Sequence, residues 1–286
     1  MNRVHSQIVG SGLVKVWMDG ALLEEADAHV SPFDHGLLTG DGVFETMRVY
    51  GGRPFALRRH LDRLGRSARG LGLPCPDRAA LAAAVGAVVA ANGLVEARVR
   101  ITMTGGPAPL GSERGTARPT MVVAAGPLTP WPATADGVVV PWPRNERGAL
   151  AGLKTTSYAE NVVALGYARE QGAGEAVFGN CAGNLCEGTG TNVFLAVRGR
   201  LVTPPLSAGC LAGVTRDLLV EAEVAVEEDV AVGTLAEAEE AFLTSTTREI
   251  QPIRAVDGRA LPACPGPHTE AARTAFAAVL ARTFDP

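Results

Sequence analysis

The sequence predicts a two-domain chain of mixed α/β class, an α+β unit followed by an α/β unit. Three observations predict it. At 286 residues, 47% of them apolar, the chain is long enough to build two cores. Segments that alternate apolar and polar residues are interleaved with segments of helical spacing along its whole length. A Pro-rich stretch without periodicity, residues 126–136, carries Pro127, Pro130 and Pro132 and separates residues 13–125 from residues 137–286.

The first unit opens with "LVKVWMDGALLEEADAHVS", which reads as two short strands around Asp19-Gly20. The Gly-rich "DHGLLTGDG" reads as a loop. "VFETMRVY" alternates as a strand does, and Gly51-Gly52 turns it into "RPFAL". In "RRHLDRLGRSARGLGL" Leu61, Leu64 and Ala68 share a helical face, with most arginines on the solvated side. A second helix, "DRAALAAAVGAVVAANG", starts at the cap Asp77 and ends at Gly93. "EARVRITMTGG" and "RPTMVVAAG" complete the unit as strands.

In the second unit "GVVVPWP" is a strand and "YAENVVALGYAREQG" a helix with Val162, Leu165 and Ala168 on its inner side. "EAVFGNCAGNL" and "TNVFLAVRGRLVTPP" read as strands and hairpins. "AGVTRDLLVEAEVAV" is a helix with glycine at its start. "EEAFLTSTTREIQPIRAVDGR" is a strand, a hydroxyl-rich turn and another strand; "TEAARTAFAAVLARTF" is a closing helix.

Composition narrows the function. The net charge is −4, without a basic stripe for nucleic acid or a polybasic run for an anionic membrane. No apolar run approaches the roughly 18–20 residues that span a bilayer. The first twelve residues read as a floppy polar leader without the apolar core of a signal peptide, so a cytoplasmic location is expected. The five cysteines have no CxxC spacing and read as free thiols. The five histidines are scattered, so no metal site is expected.

Four short stretches could carry chemistry. Of 26 basic residues only Lys15 and Lys154 are lysines; the rest are arginine. A lysine amine can lose its proton and form a Schiff base with a carbonyl, which arginine cannot. Lys154 stands on a Gly/Thr/Ser-rich loop, "GLKTTSYAEN"; Lys15 stands in a plain strand. In "LCEGTGTNVF" Glu187 is a carboxylate on a tight turn, suited to a cationic partner. The "GTG" beside it opens no helix and is no dinucleotide fingerprint. Gly213, Val214 and Thr215 start a helix whose N–H groups suit a phosphate. Thr244, Ser245, Thr246 and Thr247 place four hydroxyls in a row. Together these parts meet the needs of pyridoxal 5′-phosphate (PLP): a lysine, a carboxylate for the ring nitrogen, and donors for the phosphate.

Five motifs in order, "GDGVFETMRVYGGRPFALRRHLDRL", "LKTTSYAENVVAL", "LCEGTGTNVF", "GCLAGVTRDLL" and "LTSTTREIQPI", resemble the class IV aminotransferase family, the fold-type IV PLP enzymes. The resemblance covers nearly everything after residue 13. It implies a D-amino-acid-aminotransferase-like fold, with two α/β domains, PLP in the cleft between them, and a homodimer. Position by position, it makes Lys154 the Schiff-base lysine and Glu187 the partner of the ring nitrogen. It makes Arg63, Val214, Thr215 and Thr246 the phosphate contacts, with Tyr158 near the phenolic oxygen. Within the family the motifs look most like aminodeoxychorismate lyase, which forms 4-aminobenzoate and pyruvate from 4-amino-4-deoxychorismate. An aminotransferase acting on branched-chain or D-amino acids is the alternative. The Arg-x-His carboxylate trap of D-amino-acid enzymes is absent; "TGGPAPLGSERG" stands there. Arg98 and Arg100, which share a strand face, and Thr39 and Thr46, near Asp41, are candidates for holding substrate carboxylates.

Overall fold

The computed structural model describes residues 14–286, so the polar leader expected over the first twelve residues lies outside the described part. The chain divides into two units after Thr129.

In the first unit the strands are β1 (Lys15–Met18), β2 (Ala21–Glu24), β3 (Gly42–Tyr50), β4 (Arg53–Pro54), β5 (Ala97–Thr104) and β6 (Met121–Pro127). The helices are α1 (His35–Leu38), α2 (Leu57–Gly70) and α3 (Arg78–Ala91). The strands form one antiparallel sheet in the order β2-β1-β6-β5-β3-β4. Alternation along β3 and β5 sends Val43, Met47, Val49, Val99, Ile101 and Met103 to one face, against Leu61 and Leu64 of α2 and Leu81 and Val85 of α3. Each such side chain, taken out of water, contributes about 1.5–3 kcal/mol. Asp77 caps α3 by accepting the N–H groups of Ala79 and Ala80. The loop expected at "DHGLLTGDG" holds the one-turn helix α1, because Asp34 accepts the Gly36 N–H at 2.8 Å and caps it. "RPFAL" gives only two strand residues before Ala56, at φ 54°, turns the chain into α2.

In the second unit the strands are β7 (Ala135–Val139), β8 (Glu175–Gly179), β9 (Leu185–Gly188), β10 (Asn192–Val197), β11 (Arg200–Thr203), β12 (Val226–Glu227), β13 (Glu240–Ser245), β14 (Glu249–Val256) and β15 (Arg259–Ala260). The helices are α4 (Ala159–Glu170), α5 (Val214–Glu221) and α6 (Pro267–Arg282). The sheet runs β12-β11-β10-β13-β14-β7-β8-β9, with β15 beside β14; β7 is parallel to both its neighbours. At its far end β9 comes against β10, so the sheet curls back on itself. Val193, Leu195, Leu243 and Ile253 pack on one face. Phe194 and Phe242 stack at 4.9 Å on the other. Buried Glu240 accepts the N–H groups of His268 and Thr269 and the Thr269 hydroxyl, which caps α6.

The inner side expected for α4 is corrected. Val162 is 69% exposed and Leu165 half-buried; Ala168 is buried as expected, and Asn161 and Ala164 are buried beside it. The helix is rotated because the Asn161 side chain is drawn inward: its Nδ2 donates to the Thr189 carbonyl at 2.5 Å. Among the described residues, no helix is long and apolar enough to cross a membrane.

Candidate active site

Lys154 stands on the irregular segment between β7 and α4 and is half-buried. The turn before it passes through Gly152, whose φ of 73° a side chain would strain. Tyr158 occupies the cap position of α4, its N–H donating to the Thr156 carbonyl at 2.8 Å. The other lysine, Lys15, is accounted for locally: it lies directly across β1–β2 from Glu24 and pairs with it.

Glu187 is the third residue of β9 and is half-buried. Its Oε2 accepts the backbone N–H of Leu211 at 2.9 Å, and its Oε1 lies 3.6 Å from Arg144 Nε. Arg144 is itself fixed over the Phe178 ring, with Nη2 donating to Asn161 Oδ1 at 2.9 Å and a further ion pair to Glu160. A backbone donor and a cation therefore face the two oxygens of this carboxylate and orient it. Its charge also reaches two buried thiols. Burial first, then Glu187, pushes Cys186 well above the ordinary thiol range and Cys210 up to about 12.

The Glu187 turn is secured from behind. Glu175 Oε1 accepts the Thr189 N–H at 2.9 Å and the Thr189 hydroxyl, and Glu175 Oε2 lies 2.6 Å from Arg248 Nη2. Arg248 also stacks over Trp131 and donates to Gln251 Oε1 at 2.8 Å.

Val214 and Thr215 are the first two residues of α5 and both are buried. The cap residue Gly213 makes no side-chain hydrogen bond to the helix. A Cβ at Gly213 would collide with Asn192 Oδ1, so the close approach of β10 requires glycine here. Asn192 Nδ2 donates to the Leu211 carbonyl at 2.8 Å, so Glu187 and Asn192 hold the two sides of the same peptide residue. Thr246 is half-buried in the turn after β13, closed where the Arg248 N–H meets Ser245 Oγ at 3.2 Å.

In the first unit Arg63 is buried on α2. Its Nε and Nη2 donate to the two oxygens of Glu45 at 2.7 and 2.8 Å. His60 Nδ1 is 2.7 Å from Glu45 Oε2. Burial alone would raise the Glu45 pKa; Arg63 foremost, then His60, overcome this and hold it well below the usual carboxylate range. Arg98 and Arg100 lie on the exposed face of β5, opposite the helices; Arg100 covers the Phe44 ring at 3.7 Å and stands across from Thr46. Thr39 is exposed, its hydroxyl donating to the His35 carbonyl at 2.9 Å. Asp41 pairs with Arg114, whose hydrogen bonds foremost lower its pKa. Arg114 also donates to the carbonyls of Leu71 and Gly72. These contacts tie the segment around Arg114 to Asp41 and to the end of α2.

The comparisons with known proteins bear on this arrangement. The amino-transferase class IV family model matches residues 42–256. The chain belongs to the class IV aminotransferase family. Enzymes of this class use PLP, and solved relatives hold it or pyridoxamine 5′-phosphate. A Methanocaldococcus jannaschii protein, provisionally named a branched-chain-amino-acid aminotransferase, is 36% identical over 258 residues, 87% of this chain and 90% of its own. The aminodeoxychorismate lyase of Bacillus subtilis is 31% identical over 253 residues, 85% of this chain and 86% of its own. The branched-chain aminotransferase of Thermoproteus uzoniensis, solved with norvaline, superposes with a TM-score of 0.85 at 31% identity, covering 94% of this chain and 95% of that one. The mixed α/β fold is that of fold-type IV enzymes.

Sequence reasoning missed Glu45, Arg144, Glu175 and Arg248. Glu45 had a signal: it is a lone charge among Val43, Met47 and Val49 on one face of an alternating strand. The other three have none, because their partners stand far away in the chain.

Proposed function

We propose that this class IV chain is a PLP-dependent aminotransferase that moves an amino group between an amino acid and a keto acid, with Lys154 as its Schiff-base lysine. The observation that carries the cofactor reading is Glu187, held between the Leu211 N–H and Arg144. Such a carboxylate suits a protonated ring nitrogen, and the α5 start, capped without a side chain, suits a phosphate. The residues present therefore fit PLP.

Bound there, PLP supplies an aldehyde for an amine and a ring that accepts charge from the amine-bearing carbon. Lys154 Nζ, once deprotonated, is the base that removes the proton from that carbon. Glu187 would keep a proton on the ring nitrogen. The N–H groups of Val214 and Thr215, with the hydroxyls of Thr215 and Thr246, would hold the phosphate; by resemblance Arg63 would join them and Tyr158 would lie near the phenolic oxygen. Arg98, Arg100 and Thr46 remain candidates for a substrate carboxylate. Thr39 is a weaker one, since its hydroxyl is engaged in capping α1.

The similarity to the Methanocaldococcus jannaschii protein supports amino transfer. The similarity to the Bacillus subtilis lyase favours a second reading, formation of 4-aminobenzoate and pyruvate from 4-amino-4-deoxychorismate. The resemblance further implies a homodimer, which light scattering on the purified chain tests. One assay separates the two activities. The PLP-saturated enzyme is given an amino acid with 2-oxoglutarate and, separately, aminodeoxychorismate. Glutamate formation is expected. Pyruvate with 4-aminobenzoate, and no amino transfer, would establish the lyase; neither product would overturn both readings.

A further inference from the structure

We propose that Thr244 is a further cofactor-binding residue, its hydroxyl donating to the phosphate monoester held at the start of α5. The inference rests on the PLP reading; the sequence offered Thr244 only as one of four consecutive hydroxyls, and the family resemblance assigned the phosphate contact to Thr246 instead.

Thr244 is 1% exposed, and its Oγ1 has no hydrogen-bond partner among the described residues. Several threonines of this unit are satisfied: Thr203 Oγ1 donates to the Val193 carbonyl at 2.8 Å, and the hydroxyls of Thr189 and Thr269 meet buried carboxylates. A buried hydroxyl without a partner is costly, and valine fills the same space without that cost. A threonine at the last-but-one position of β13 therefore asks for a partner that the protein itself does not supply.

The register says where that partner lies. Asn192 and Thr244 stand directly opposite each other on β10 and β13, so their side chains share a face. Asn192 marks what that face looks onto, since its amide contacts the Leu211 carbonyl and abuts Gly213, the residue that opens α5. The Thr244 hydroxyl thus faces the same side as the first turn of an eight-residue helix that has no side-chain cap. Among the described residues the other buried threonine without a partner, Thr191, abuts Gly188 instead. An anion at the helix start, rather than a neutral group, matches a lone O–H donor on the face that looks toward the first N–H groups of the helix. In this enzyme the phosphate of PLP is the anion that the reading provides.

The test uses the full-length chain, stripped of cofactor, as wild type, Thr244→Val and Thr244→Ser. Thermal unfolding is followed without cofactor, and dissociation constants are measured for PLP and for pyridoxal, which lacks the phosphate. Thr244→Val should unfold no earlier than wild type, because an unsatisfied hydroxyl has been removed. It should bind PLP about tenfold more weakly while binding pyridoxal as before. Thr244→Ser, which keeps the hydroxyl, should hold PLP within about twofold of wild type. Undiminished PLP affinity in Thr244→Val, an equal loss for PLP and pyridoxal, or an earlier unfolding of that variant would each overturn the proposal. A wild type that prefers PLP no more than pyridoxal would instead overturn the phosphate reading itself, and Thr244 with it.

Discussion

The backbone N–H of Leu211 meets Oε2 of Glu187 at 2.9 Å, although 24 residues separate them in the chain. A backbone donor cannot rotate away, so the carboxylate is held in one orientation before any ligand arrives. Arg144 Nε stands 3.6 Å from the other oxygen, so a cation faces the second side of the carboxylate. Glu187→Gln keeps the shape and removes the charge. The variant should still retain PLP through dialysis, while proton removal from the substrate slows by at least about 10²-fold. Deuterium exchange at the amine-bearing carbon of an amino acid measures this; an unchanged exchange rate contradicts the role.

Gly213→Ala places a methyl group against Asn192 Oδ1. The side chain must move, which releases the Leu211 carbonyl and with it the segment that donates to Glu187. We expect stability to fall by about 1–3 kcal/mol, as overpacking does, together with weaker PLP retention. Denaturant unfolding and dialysis report the two effects separately.

Glu45 and Arg63 are both buried, and removing one strands the other. Glu45→Ala should destabilise the chain by about 3–5 kcal/mol, read from denaturant midpoints. The pH dependence follows from the depressed pKa of Glu45. Below the free-glutamate value of 4.5 the unfolded chain takes up a proton that the folded chain does not. The stability this residue contributes is therefore fully present above that value and is lost progressively as pH falls below it. Glu45→Gln should flatten this acid limb; a variant with the same slope as wild type contradicts the pairing.

Thiol accessibility gives an independent check on the second unit. Cys75 and Cys181 are exposed, whereas Cys186 and Cys210 are buried and their thiols are held protonated. The thiolate is the reactive form. A maleimide at neutral pH should label the first two within minutes and leave the other two unmodified until the protein is denatured, as peptide mass spectrometry would show.

Much of the fold was readable because local rules and tertiary packing agree. In α2, Leu61, Leu64 and Ala68 recur at helical spacing and are buried where that spacing puts them. In α3 the Asp77 cap is where the sequence marks it. The reading failed where a polar contact outweighed hydrophobicity. Val162 is more apolar than Asn161, yet Asn161 is inside because it binds the Thr189 carbonyl. The same reason hid the supports of the candidate site. Lys154, Glu187 and the α5 start lie in contiguous motifs, whereas Glu175–Arg248 and Arg144–Glu187 join residues far apart in the chain that the second unit's fold brings together. Arg98 and Arg100 show the limit from the other side. Alternation put them on one face, but which face looks onto substrate is not written in a period of two.

The central claim is a covalent link at position 154, and borohydride reduction of the PLP-saturated full-length protein tests it most directly. The account predicts that the visible absorbance disappears on reduction and that peptide mass spectrometry finds one added pyridoxyl-phosphate group, on Lys154. A protein that stays unlabelled at Lys154, or carries the label on Lys15 instead, would contradict it.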